Sequence, residues 1–431
     1  MGKKFFSVWS NFWNDGRGGS LRGFATALAA LSILAAVPCA SAQLPDLDIE
    51  LVNENLIQIS WDDEGGDYKL EMSHDLQIWL SIPELLPPPL LGTYRVPVTT
   101  APDRGFFRVL GTFPSLYVSN TGDDFTSYAR FQKIGGNVPP TTQLERGNTT
   151  RLFQPRAVAV TRTGRLLISR NNGGIVGWND ARFATGAAPA DIEVDGPSTG
   201  LDSPIAFAYD SNFDRLFVGN TDTQDGILVF DLVSAPLLFD GDVSPSRAFG
   251  PDDRRPFNSN PTSLLMTIDA LVLDGNTLYA ADASGANVNS SRILVFDNAA
   301  TANGQTNPVR TITGPWDEVR SLAIDGDNLY LVDDTDVLFV VEDYDSASGA
   351  VTPKEVTVTV TGATLIQLRT VEIFNGQTYM LDQNNSSILA FEGTFDGDEG
   401  TVSPNRKIEG SNTGLRRPTS MAVGVSELQE P

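Results

Sequence analysis

Two side chains that carry much of enzyme chemistry are almost missing: among 431 residues there is one cysteine, Cys39, and one histidine, His74. A lone cysteine closes no disulfide within the chain. A lone histidine builds no multi-histidine zinc site, and lying at position 74 it leaves the later repeats without a His-containing triad. Basic residues are also scarce, 30 Lys and Arg against 54 Asp and Glu, for a formal charge of −24. A surface this acidic disfavours nucleic acid and anionic membranes and favours cations, basic partners or plain solubility. Long apolar runs are absent after Val37, and no P-loop, dinucleotide fingerprint or hydrolase serine elbow occurs.

What is present begins with the features of an export leader over residues 1–42. Lys3, Lys4, Arg17 and Arg22 give a basic start, 24–37 is apolar, and Ala40-Ser41-Ala42 is a small-residue cleavage site. The apolar run is short for a bilayer span. Val37-Pro38 before Cys39 is unlike a bacterial lipid-attachment site. Cleavage after Ala42 removes four basic residues and Asp15, taking the formal charge from −24 to −27. The expectation is an exported protein, periplasmic or extracellular and bacterial, without disulfides and with no membrane insertion once the leader is gone.

Residues 43–111 read as short strands at 49–52, 56–61, 68–72, 78–82, 94–98 and 106–110, the alternation of a small β-sandwich. Gly65-Gly66 supplies a turn, and Pro87-Pro88-Pro89 interrupts any ladder because proline donates no backbone hydrogen bond. The order Trp61, Tyr68-Lys69-Leu70-Glu71, Trp79 and Phe106-Phe107-Arg108 resembles the fibronectin type III or immunoglobulin-like modules of secreted bacterial proteins. His74 falls in a turn, Ser73-His74-Asp75, with nothing to share a metal.

From 112 to 426 a unit of about fifty residues recurs six times, with 427–431 left as a tail. First strands are read at 155–160, 204–209, 268–273, 319–324, 368–374 and 418–423. Tight turns such as Asp274-Gly275-Asn276 and Asn375-Gly376-Gln377 follow them. Second strands are read at 116–119, 166–169, 216–219, 278–281, 329–332 and 378–381. Third strands carry Ile227-Leu228-Val229-Phe230, Ile293-Leu294-Val295-Phe296 and Ile388-Leu389-Ala390-Phe391. Strand-only repeats of this length indicate propeller blades. The first unit lacks a first strand and the chain ends on a spare one, so joining the two closes the ring. The expected fold is all-β: a six-bladed β-propeller closed by a C-terminal strand, behind a small N-terminal sandwich. The blade pattern resembles NHL-repeat propellers, which implies the fold and little about chemistry, since that fold serves scaffolds, lyases, lactonases and sugar-binding proteins.

The loops after the second strands open with Asn120, Arg170, Asn220, Asp282, Asp333 and Asp382 and continue with Asp123, Asp124, Asp222, Asp225, Asp334 and Asp336. All emerge on one face, so these residues are the candidate ligand-binding ring at the channel mouth. The oxygens of Asn220, Asp282, Asp333 and Asp382 are candidate metal ligands, suited to calcium, although the ring needs no ion to close. The plainer account is that Asn or Asp at a strand end caps backbone amides. Asp240-Gly241-Asp242 and Asp396-Gly397-Asp398-Glu399-Gly400 lack calcium-loop spacing and read as turns, and 250–265, with Asp252-Asp253-Arg254-Arg255 and Phe257, reads as a solvated loop.

Resemblance bears on enzyme readings too. NHL-like peptidyl-hydroxyglycine lyases bind zinc through histidines that this propeller does not have. Gluconolactonase-like propellers use a glutamate on the first blade strand, whereas no first strand here carries one before Glu372. The expected function is therefore non-catalytic binding of a protein, peptide or glycan at the loop-rich face, with no nucleic acid. The alternative is a divalent-metal-dependent hydrolase or lactonase at the channel mouth.

Overall fold

In a computed structural model of the chain, residues 115–121, 129–131, 135–181, 183–220, 226–235, 237–250, 267–283, 291–363 and 365–424 are described with their side chains; strands within 6–112, Pro114, 127–128 and Val425 are described by backbone alone. The chain divides into two units, Met1–Pro114 with Glu427–Pro431, and Ser115–Ser426.

In the first unit Phe6–Trp9, Arg104–Thr112, Asp67–Ser73 and Leu80–Ser81 make a four-stranded antiparallel sheet in that order. Leu47–Asn53, Leu56–Trp61 and Thr93–Pro97 make a three-stranded one. Each of the six strands read from 43–111 has a counterpart here. Phe6–Trp9 lies inside the segment read as a leader.

The second unit is a six-bladed β-propeller. Blade II shows the plan: Pro155–Val160 innermost, then Leu166–Arg170, Ile175–Trp178 and Ile192–Val194 outward. The innermost strands of blades III to VI are Pro204–Asp210, Ile268–Asp274, Ser321–Asp325 and Leu368–Phe374. Blade I is composite, because Pro418–Val425 from the chain end lies innermost beside Pro114–Asn120, Ser127–Phe131 and Thr142–Glu145. The innermost strands touch one another in a closed circle. Closure by the C-terminal strand, expected from the sequence, is therefore present.

Each blade is covered on both faces by its neighbours, which is why the third strands are continuously apolar instead of alternating. Ile227, Leu228, Val229 and Phe230 are all buried, as are Ile293, Leu294, Val295 and Phe296. Apolar layers fill each gap between successive blades; between III and IV, Phe249 and Phe296 meet edge to face with ring centroids 5.4 Å apart. Where the chain reverses inside a blade the turn chemistry fits: Asn375 and Gly376 have φ of 50° and 68°, the two positive angles of a two-residue hairpin turn between paired Phe374 and Gln377.

A second ring of contacts runs around the outside. The connection before each outer strand lies parallel against the outer strand of the preceding blade, pairing Leu144 with Gly186, Val194 with Gly241, Phe249 with Gly304, Ile312 with Gly349, Thr357 with Thr401 and Ile408 with Gly136. The segments read as plain turns therefore cover the edge strand of the blade before, satisfying backbone groups that an open edge would leave to solvent. Asp240 and Asp242 strengthen one such clasp by accepting the backbone N–H groups of Glu193 and Ser198 at 2.9 and 2.7 Å.

Candidate functional site

The six residues that end the second strands all sit at one end of the propeller and are buried, between 0 and 5 % exposed. Five share a role. Asn120 Oδ1 accepts the backbone N–H of Arg416 at 3.1 Å, Asn220 Oδ1 that of Asp202 at 2.9 Å, Asp282 Oδ1 that of Thr267 at 3.2 Å, Asp333 Oδ2 that of Asp317 at 3.1 Å and Asp382 Oδ1 that of Gln367 at 3.2 Å. In four blades the donor lies one or two residues ahead of the innermost strand of the same blade, and in blade V Asp317 lies four ahead of Ser321. The side chain thus anchors the segment that enters from the previous blade, and Asp382 in addition caps its own turn by accepting the Asn385 backbone N–H at 3.3 Å.

Their remaining atoms are engaged as well. Asp282 Oδ2 takes the Arg292 guanidinium at 2.8 Å, Asp333 Oδ1 the Thr335 hydroxyl at 2.7 Å, Asp382 Oδ2 the Asn385 amide at 2.6 Å, and Asn220 Nδ2 donates to Gly200 O at 2.9 Å. Arg170, in blade II, points to the outer strand instead, donating to Glu193 at 2.8 Å and Asp195 at 2.7 Å. Its guanidinium occupies the space where a Cβ on Gly174 would stand, and Gly174 has φ of 87°, so glycine there serves both the bend and the arginine. Among the described residues no three carboxylate, histidine or cysteine side chains gather as a metal cluster. Asp123, Asp124, Asp222, Asp225, His74, Cys39 and the 250–265 loop apart from Gly250 lie outside the residues whose side chains are described. Asp336 is exposed.

The channel itself holds a cavity of about 250 Å³, and none of these six residues, the five caps and Arg170, is on its wall. Its wall is built from the beginnings of the innermost strands and the residues that follow the caps. In three blades these make the same pair. Arg156 Nε donates to Asn171 Oδ1 at 3.0 Å, Arg320 Nε to Asp334 Oδ2 at 3.2 Å and Arg369 Nε to Gln383 Oε1 at 3.0 Å. Holding a guanidinium by Nε fixes its plane and leaves the two Nη groups for other partners. Arg320 spends them on Glu318 and, at 3.7 Å, Asp269; Arg369 Nη1 lies 2.7 Å from Asp334 Oδ1. Neither Nη of Arg156, nor Nη2 of Arg369, has a partner among the described residues.

The arginines sense one another. Burial lowers the Arg156 pKa first and the charge of Arg320 lowers it further; burial likewise leads the lowering at Arg369, with Arg320 and Arg156 adding to it. Guanidinium remains charged through such shifts, and Asp334 and Glu318 offset part of that charge at Arg320 and Arg369.

Two acids share this wall. Asp269 is the second residue of the innermost strand of blade IV, with its side chain 4 % exposed, and burial pushes its pKa up to about 7 against the pull of Arg320. Its Oδ2 is enclosed, with Arg320 Nη1 3.7 Å away and no donor within hydrogen-bond distance among the described residues. Glu372 lines the channel and is pushed up to about 8 by burial alone. The lumen it faces is walled by protein, so partial exposure there is not exposure to bulk water.

The arginines had a signal in the sequence. Second place in the innermost strand, or the place just before it in blade V, reads Arg156, Ile205, Asp269, Arg320, Arg369 and Thr419 around the ring. Charges at one repeat position inside apolar strands mark a wall that faces space and not a neighbour.

No protein-family model matches the chain, and no curated protein matches it in sequence. Among solved structures, a chain from one titled "Crystal structure of Nidogen/Laminin Complex" is similar at 13 % identity with a TM-score of 0.49, covering 73 % of this chain and 99 % of that one.

Proposed function

We propose that this chain is an exported, non-catalytic binding protein that holds a protein, peptide or glycan at the mouth of an NHL-like propeller spanning 112–426, with residues 43–111 as a fibronectin type III or immunoglobulin-like spacer. The observation that carries the reading is the convergence of Arg156, Arg320 and Arg369 on one cavity, each held by Nε, with Nη groups of Arg156 and Arg369 left unpartnered among the described residues. Positioned donors in a partly desolvated cleft are what recognition of an acidic group requires. The alternative, a divalent-metal-dependent hydrolase built on Asn220, Asp282, Asp333 and Asp382, has less support, because those side chains already anchor the inter-blade segments.

The test is to probe glycan and peptide arrays with the full chain and with an Arg156→Ala, Arg369→Ala double variant. Alongside it, lactone and ester substrates are offered with and without calcium. Array ligands that the double variant loses, with no turnover, are expected. Calcium-dependent turnover that survives in the double variant contradicts the binding reading.

A further inference from the structure

The channel mouth asks for two chemistries at once. Arg156 and Arg369 present cationic Nη groups from two blades, whereas the enclosed Oδ2 of Asp269 has Arg320 Nη1 3.7 Å away and no donor within hydrogen-bond distance among the described residues. An anion alone answers the arginines and leaves Asp269 Oδ2 unsatisfied; an enclosed acceptor without a partner costs free energy until a hydroxyl or amide reaches it. A neutral sugar answers Asp269 and leaves the guanidinium groups idle. Thr121, Thr419 and Ser420 also line the wall, the hydroxyls of the two threonines being engaged by Arg417 O and by Ser119.

Size narrows the ligand further. A cavity of about 250 Å³ exceeds the ~150 Å³ that admits a benzene ring and falls below the ~300–1,000 Å³ of pockets for drug-sized molecules. One substituted ring enters while the rest of a chain stays outside. The formal charge of −24 repels an extended polyanion at long range, so attraction is local to the mouth.

We propose that the channel mouth binds a single sugar-acid ring, a uronic acid residue of a glycan, with its carboxylate on Arg156 and Arg369 and a ring hydroxyl on Asp269. Arg320 is a positioning residue, since Asp334 and Glu318 already hold its guanidinium beside Asp269. This rests on the binding reading above and narrows its ligand.

The experiment is calorimetric titration of the full chain with three probes: trigalacturonate, its fully methyl-esterified form and a triglutamate peptide. The ester keeps ring shape and hydroxyls but removes the charge; the peptide keeps the charge but lacks the hydroxyls. Trigalacturonate is expected to bind at least tenfold more tightly than either. Arg156→Ala and Arg369→Ala are each expected to weaken it about tenfold or more, and Asp269→Ala to narrow its lead over triglutamate. Thermal melting of each variant confirms folding, and Arg156→Lys, which keeps the charge but not the forked donor set, is a milder change expected to be intermediate. Equal affinity for triglutamate, or for the methyl ester, overturns the sugar-acid assignment, as does no binding of any probe. Array ligands lost by the arginine double variant leave the broader binding reading standing even then; turnover of an ester brings that reading down separately.

Discussion

Asn120 and Arg416, 296 residues apart in sequence, are joined by a 3.1 Å hydrogen bond from the Arg416 backbone N–H to the Asn120 carboxamide oxygen. The bond fixes the segment that carries the C-terminal strand into blade I, so one side chain near the start of the propeller helps decide whether the ring shuts. Asn120→Ala takes that acceptor from a part-buried N–H, at a cost of about 1 kcal/mol. The thermal midpoint is expected to fall by several degrees, with proteolytic cleavage shifted toward the C-terminal strand. An unchanged midpoint and cleavage pattern contradict the anchoring role.

Asp282 holds the Arg292 guanidinium on one oxygen and the Thr267 backbone N–H on the other. Asp282 is fully buried but the Arg292 side chain is 28 % exposed, so breaking the pair costs less than the roughly 3–5 kcal/mol typical of a wholly buried one. Asp282→Ala is expected to be among the most destabilising single changes, and excess calcium to leave the wild-type midpoint where chelator puts it. A calcium-induced rise that an Asp282→Ala, Asp333→Ala variant loses would instead mean that these oxygens hold an ion, because a ligand of the native state alone must raise the midpoint.

Gly174 combines a positive φ with a Cβ direction filled by the Arg170 guanidinium. Gly174→Ala must strain the bend and displace the arginine from Glu193 and Asp195. A loss of about 1–3 kcal/mol in denaturant unfolding is expected. Tolerance of alanine without loss would show that Arg170 is not held as described.

Asp269 and Glu372 give stability a pH dependence with a definite sign. Both carboxyls are held above their ordinary values, to about 7 and about 8, chiefly by burial. The native state therefore keeps protons that the unfolded chain releases. Stability from this source is full below about pH 4 and is lost as pH rises through about 7 and 8. Around Asp269 stand Arg320, which opposes the shift, and Glu318, Asp282 and Asp334, which reinforce it. The midpoint is expected to fall between pH 5 and pH 8.5, and an Asp269→Asn, Glu372→Gln variant to flatten the slope. The same slope in the variant would assign it to other groups.

Most of the fold was legible because its rules are local. Ile227-Leu228-Val229-Phe230 and its counterparts announce strands covered on both faces, Asn375-Gly376 announces a hairpin, and the unmatched strands at the two ends announce closure. The clasp between blades was not legible. It rests on backbone pairing of short segments such as Gly304-Gln305, whose side chains carry no apolar pattern. At the candidate site, residue type was readable but direction was not. Asp and Asn at the second-strand ends suggested capping, yet only the folded ring shows Asp333 reaching Asp317 in the entering segment. Arg156, Arg320 and Arg369 lie far apart in sequence and become neighbours only when six innermost strands close into a circle.

The most direct measurement is the affinity of the best array ligand for wild type and for Arg156→Ala, Arg369→Ala, with the recovered ligand weighed by mass spectrometry. Hydrogen bonds to charged groups contribute about 1.5–3 kcal/mol each, so losing both arginines should weaken binding by about a hundredfold or more. The account predicts that loss together with an unchanged ligand mass. Equal affinity in the double variant, or a ligand returned cleaved, contradicts it.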